Sequence, residues 1–156
     1  MILVTGGTGY IGSHTCIELL DAGYELLVLD NLCNSSVEAL KRVEKITGKT
    51  ISFVDGDIRD QVVLRNIFTD YEIDAVIHFA GLKSVGESVK HPLCYLDNNV
   101  TGSIMLFKVM AEFGCKRLVF SSSATVYGDP ASLPIREDFP LSAANPYGSS
   151  KLMIEN

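Results

Sequence analysis

The chain is 156 residues long, and its 47% apolar and 21% charged composition places it among folded globular proteins, with length for about one domain. Thirteen basic against nineteen acidic side chains leave a formal charge of −6, which argues against nucleic acid as a partner, because phosphate binding needs a basic face. No apolar run approaches the ~18–20 residues that cross a bilayer and no basic leader precedes Met1-Ile2-Leu3-Val4, so the expectation is a soluble, cytoplasmic protein with no membrane partner.

Short apolar runs then alternate with helical stretches. Ile2–Val4 reads as a strand that leads into a glycine-rich turn, and Ile11–Ala22 as a helix closed by Gly23. Glu25–Leu29 is a second strand, ending at Asp30. Ser35-Ser36-Val37-Glu38 fits a capping box for the next helix, which Gly48 closes. Ile51–Val54 ends in Asp55-Gly56-Asp57, and Ala75–Phe79 ends in Ala80-Gly81. A long helix is expected near Pro92–Phe113, closed by Gly114, with Leu96, Val100, Ile104 and Phe107 on one face that reads as core packing. Leu118–Phe120 ends in Ser121-Ser122-Ser123. The strands lack clean alternation, as expected where helices cover both faces, so the fold class is α/β: a doubly wound, right-handed parallel sheet of Rossmann type. The last segment, Ser149–Asn156, looks like a helix without a terminal cap. The expectation is therefore that 1–156 is one dinucleotide-binding domain, the N-terminal part of a two-lobe protein whose substrate lobe lies downstream.

Thr5-Gly6-Gly7-Thr8-Gly9-Tyr10-Ile11-Gly12 follows the first strand and opens the first helix, the context that a dinucleotide fingerprint requires. Gly6 or Gly7 allows the sharp turn, Gly9 lets backbone approach a pyrophosphate, and Gly12 permits close packing of helix on sheet. No Lys-Ser/Thr follows, which excludes a triphosphate-gripping loop. Asp30, eighteen residues after Gly12, can accept both ribose hydroxyls and repels a 2′-phosphate, favouring NAD over NADP. Asp57 and Ile58 end the third strand, where one hydrogen bond and one apolar wall suit an adenine. Tyr147 and Lys151 stand at i and i+4 on one helix face, and Ser123 ends the fifth strand. Cys16, Cys33, Cys94 and Cys115 match neither a zinc knuckle nor a CxxC pair, so no metal is expected.

Glycine loop, acid, serine-ended strand and Tyr-x-x-x-Lys together resemble the extended short-chain dehydrogenase/reductase family. Thr5–His14, Asp30–Ser35, Gly56–Arg59, His78–Val89 and Ser121–Gly128 resemble its sugar-nucleotide branch that interconverts UDP-glucose and UDP-galactose. The resemblance implies that Tyr10 and Ile11 line the pyrophosphate, and that Asp30, Asn31, Leu32, Cys33, Asn34 and Ser35 hold the adenosine ribose. It also implies that Asp57 and Ile58 meet adenine, and that Phe79, Ala80, Gly81, Leu82 and Lys83 run along the cofactor. Asn98, Ser123, Tyr147 and Lys151 then complete the NAD site, with Tyr147 as base, Lys151 lowering its pKa, and Ser123 bonding the reacting oxygen. Lys83, Ser123 and Tyr147 are implied substrate contacts, and a homodimer is implied. Related 4,6-dehydratases carry an Asp-Glu pair where this chain has Ala124 and Thr125, which argues against dehydration. Two alternatives stay open: another NAD-dependent sugar-nucleotide epimerase or decarboxylase, and a non-catalytic dinucleotide-binding module.

Overall fold

The five apolar runs pair into one parallel sheet in the computed structural model, which describes residues 1–156. The strands are β1 (Ile2–Thr5), β2 (Leu26–Asp30), β3 (Ser52–Asp55), β4 (Ala75–His78) and β5 (Leu118–Phe120), in the order β3-β2-β1-β4-β5. Register aligns Thr5 with Leu29 and His78, and Asp30 with Asp55. The strand order reverses at β1, so the loops after β1 and β4 flank the switch point where open α/β sheets take ligands.

The helices are α1 (Tyr10–Asp21), α2 (Glu38–Thr47), α3 (Gln61–Asp70), α4 (Val85–Lys90), α5 (Pro92–Tyr95), α6 (Gly102–Glu112) and α7 (Pro146–Glu155). A π-turn (Leu96–Thr101) joins α5 to α6, and a 3₁₀ turn (Ala124–Tyr127) follows β5. The chain packs as two compact units, interleaved in sequence: Met1–Ala80 with Met105–Ser121, and Gly81–Ile104 with Ser122–Asn156.

The first unit holds the sheet. Leu3, Leu27, Leu29 and Val76 turn to one face against Leu64, Ile67 and Phe68 of α3 and Leu106, Val109 and Met110 of α6. Val4, Leu26 and Val28 turn to the other, against Cys16 and Leu20 of α1 and Leu40 and Val43 of α2. The expected helix ends hold: Gly23, Gly48 and Gly114 all take positive φ. The capping box does not form. Val37 occupies the N-cap of α2 without a side-chain bond, because the Ser35 hydroxyl is bonded to Asp30 instead. The Glu38 N–H is taken by the Ser36 hydroxyl at 3.3 Å.

The second unit buries few apolar side chains, chiefly Tyr95 and Val126, and is tied by polar contacts. Tyr95 Oη donates to Glu87 (2.8 Å) and accepts from the Ser84 N–H (3.0 Å). The expected apolar stripe on the long helix is corrected by the π-turn. Its extra residue rotates the buried face onto Tyr95, Asn98, Asn99, Ser103, Leu106 and Val109, while Ile104 is exposed and Leu96, Val100 and Phe107 are half-buried.

Candidate active site

The glycine loop of the first unit is set by contacts between main chains. Gly6 has φ 71°, and a Cβ there would lie 2.5 Å from the Ala80 nitrogen. A Cβ on Gly12 would overlap the Gly6 carbonyl. Gly9 differs: its φ of −72° suits any residue. A Cβ there would meet only the Gly6 oxygen, at 3.3 Å. That contact is tight but milder than those at Gly6 and Gly12, so the fold's own packing constrains this position less. Gly9 also starts α1 with no side-chain cap and no acid in the first turn, leaving N–H groups beside exposed Tyr10 and Ile11.

Asp30 is buried at the end of β2 and held from both sides. Its Oδ1 accepts from the Leu32 N–H and the Ser35 hydroxyl, both at 3.0 Å, and its Oδ2 from the Thr8 N–H at 3.2 Å. Thr8 Oγ1 and Ser35 Oγ lie 2.6 Å apart. Capture of both ribose hydroxyls by Asp30 therefore requires one of these donors to yield. Leu32 reaches its place with φ 57°, a left-handed conformation unusual for leucine. Cys33 and Asn34 are exposed in this loop, and partial burial, with Asp30 and Asp57 nearby, pushes the Cys33 thiol up.

Asp57 is more fully committed. Oδ1 accepts from the Arg59 main-chain N–H (2.8 Å) and Nε (3.0 Å), and Oδ2 from Arg59 Nη2 (2.7 Å) and Asn31 Nδ2 (3.0 Å). The Arg59 guanidinium is the main reason its carboxyl falls to about 2. An adenine amino group would be a fifth donor. Ile58 is buried in the apolar core beside Leu29 and Leu64. Phe79 and Ala80 are half-buried after β4, with the Phe79 N–H donating to the Thr5 carbonyl at 2.9 Å.

In the second unit, α7 carries the Tyr-Lys pair. Asn145 caps it through the Gly148 N–H (2.8 Å), and Pro146 suits its first turn. Gly148 permits close approach to the 3₁₀ turn, since a Cβ would lie 2.7 Å from the Thr125 carbonyl oxygen. That brings Tyr147 into the same neighbourhood as Ser123, whose Oγ accepts from the Thr125 N–H (3.2 Å) and Thr125 Oγ1 (2.9 Å). With both lone pairs engaged, the Ser123 hydroxyl acts outward as a donor. Lys151 is 5% exposed, and burial lowers its pKa to about 8. A Cβ on Gly81 would lie 3.7 Å from Lys151 Nζ, so this lysine reaches the start of the Gly81–Lys83 segment. Asn98 is buried and donates to Asn99 Oδ1 at 3.0 Å, while Lys83 is exposed.

Sequence reasoning missed three residues. Asn99 clamps Leu82, accepting its N–H at 2.8 Å and donating to its carbonyl at 2.9 Å, and also reaches Ser150 Oγ at 3.0 Å. Thr8 and Arg59 support the two acids. An Asn-Asn doublet inside an apolar helical stretch was the available signal, because such residues disfavour helix interiors.

Comparisons with known proteins place the chain among nucleotide-sugar enzymes. A family model described as GDP-mannose 4,6 dehydratase matches residues 3–156. The chain is 62% identical over 154 residues to UDP-glucose 4-epimerase of Bacillus subtilis, covering 99% of this chain and 45% of that protein. The UDP-glucose 4-epimerase of Bifidobacterium longum, solved with NAD+ and UDP, superposes with TM-score 0.97 at 54% identity, covering 99% of this chain and 46% of that one. The enzyme from Stenotrophomonas maltophila, solved with NAD and formylated UDP-arabinopyranose, gives 0.96 at 49%, over 99% and 46%. The chain spans about half the length of the curated relatives it matches.

Proposed function

We propose a reading that proceeds from one premise: the chain belongs to the family whose model is described as GDP-mannose 4,6 dehydratase. Within that family the protein is an NAD-dependent isomerase of galactose metabolism. It interconverts UDP-glucose and UDP-galactose by transient oxidation at sugar carbon 4. Residues 1–156 are its dinucleotide-binding part, acting in the cytoplasm. The observation that carries the reading is α7, where buried Lys151 shares a helix face with Tyr147 in the unit that holds Ser123. Ala124 and Thr125 offer no carboxylate for eliminating water, so the reaction is not the one in the family's description.

NAD, when bound, supplies the hydride acceptor and donor for carbon 4. The residues present fit it. Gly9 leaves room for the pyrophosphate at the bare start of α1, with Tyr10 and Ile11 beside it, and Asp30 takes a ribose hydroxyl through Oδ2. Tyr147 takes the proton of the sugar 4-hydroxyl and later returns it. Lys151 supplies positive charge, and at neutral pH it still holds its proton. Ser123 donates to the reacting oxygen, and Phe79 to Lys83 with Asn98 hold the dinucleotide. A homodimer is part of the proposal: the second unit exposes Leu93 and Ile104, and exposed Met153 lines a cleft of about 390 Å³ with Pro92, Leu96 and Pro146.

Native mass spectrometry of the chain tests the first half. An NAD adduct is expected, with no UDP-glucose adduct and no UDP-galactose turnover; turnover by the chain alone would sink the division of labour. In the full-length protein Tyr147→Phe is expected to lower kcat by at least ~100-fold. Unchanged conversion would exclude Tyr147 as the base.

A further inference from the structure

We propose that Thr8 and Ser35 are specificity-determining residues, holding Asp30 as a fixed negative wall that refuses a 2′-phosphorylated dinucleotide. The inference rests on the dinucleotide reading above. A carboxylate only accepts, so the Ser35 hydroxyl must donate to Asp30 Oδ1, and Ser35 Oγ in turn accepts the Thr8 hydroxyl proton. The chain of donors thus runs in one direction, from the glycine loop through Ser35 to the acid. Two main-chain donors, Leu32 N–H and Thr8 N–H, complete the grip.

The fold departs from its local preferences for this arrangement at two places. Leu32 adopts φ 57° and presents its N–H to Oδ1. Helix α2 forgoes the Ser35 cap that its sequence offers. The terminal torsion of an aspartate is broad, so an untethered carboxylate could swing away from an incoming phosphate. Here Oδ1 is saturated, and Oδ2 keeps one acceptor position for a ribose hydroxyl. Arg59, a guanidinium suited to pairing with a phosphate, is clamped to Asp57 through Nε and Nη2.

The test is calorimetric titration of the chain with NAD and with NADP, for the unmodified protein, Ser35→Ala, Thr8→Val and Thr8→Ser. The ratio of the NADP to the NAD dissociation constant is expected to fall at least tenfold in Ser35→Ala and Thr8→Val, and to be kept in Thr8→Ser, which retains the hydroxyl. Circular dichroism establishes folding, and if Ser35→Ala does not fold, the Thr8 pair decides. Equal weakening of both dinucleotides, or an unchanged ratio, would overturn the proposal. Unmodified chain that binds both equally would overturn it too, yet leave the dinucleotide site standing. Unmodified chain that binds neither would overturn the dinucleotide reading itself, and this inference with it.

Discussion

Two ionisable side chains, one in each unit, respond to pH in opposite directions. Asp57 is held near 2 by Arg59, below its ordinary 3.8, so its contribution to stability is complete above about pH 4 and is lost as pH falls toward 2. Urea titrations are expected to show Asp57→Asn less stable than the unmodified chain at pH 6, with the gap closing between pH 4 and pH 2. Lys151 behaves the other way. Its proton leaves near pH 8 in the native state but near 10.5 when unfolded, so the unfolded chain binds more protons in between and stability rises with pH. The expected slope is up to ~1.4 kcal/mol per pH unit between 8 and 10, and Lys151→Met should abolish it. The identities of both residues were legible in the sequence from their places after β3 and on α7. Their partners were less so, because Asn31 lies 26 residues from Asp57, and only the pairing of β2 with β3 brings them together.

Strands, turns and glycine caps were legible at the scale of elements because each has a local cause: an apolar run, a bare α-carbon, a proline. Two elements were not. The Ser35–Glu38 pattern is a correct local signal overridden by a carboxylate five residues upstream of the serine. The π-turn has no periodic signature, so the helical stripe drawn through Leu96 and Ile104 assumed a uniform pitch that the chain does not keep. The seating of α7 on the 3₁₀ turn is narrow enough to test directly. Gly148→Ala places a methyl 2.7 Å from a main-chain oxygen, and a loss of about 1–3 kcal/mol is expected in thermal or urea unfolding. Gly86→Ala, where nothing lies within 4 Å, is expected to be close to neutral.

The two units differ in what holds them. The first buries two apolar clusters on a five-stranded sheet, whereas the second depends on Asn99, Tyr95, Ser84 and Glu87 with only Tyr95 and Val126 fully buried among its apolar side chains. Hydrogen exchange should therefore be slowest in β1, β2 and β4 and markedly faster in α4 and α7. Uniform protection across both units would contradict this account. The sheet was legible in the sequence because apolar runs encode it; the second unit was not, because a polar network leaves no periodic trace. The interleaving of the units also has a consequence for synthesis. As the chain leaves the ribosome, β1 to β4 are complete before residues 81–104 appear, and β5 follows them. Asn99 must then wait some fifty residues for Ser150, so the polar network of the second unit closes only when the helix that carries Tyr147 and Lys151, the last of these elements, has been made.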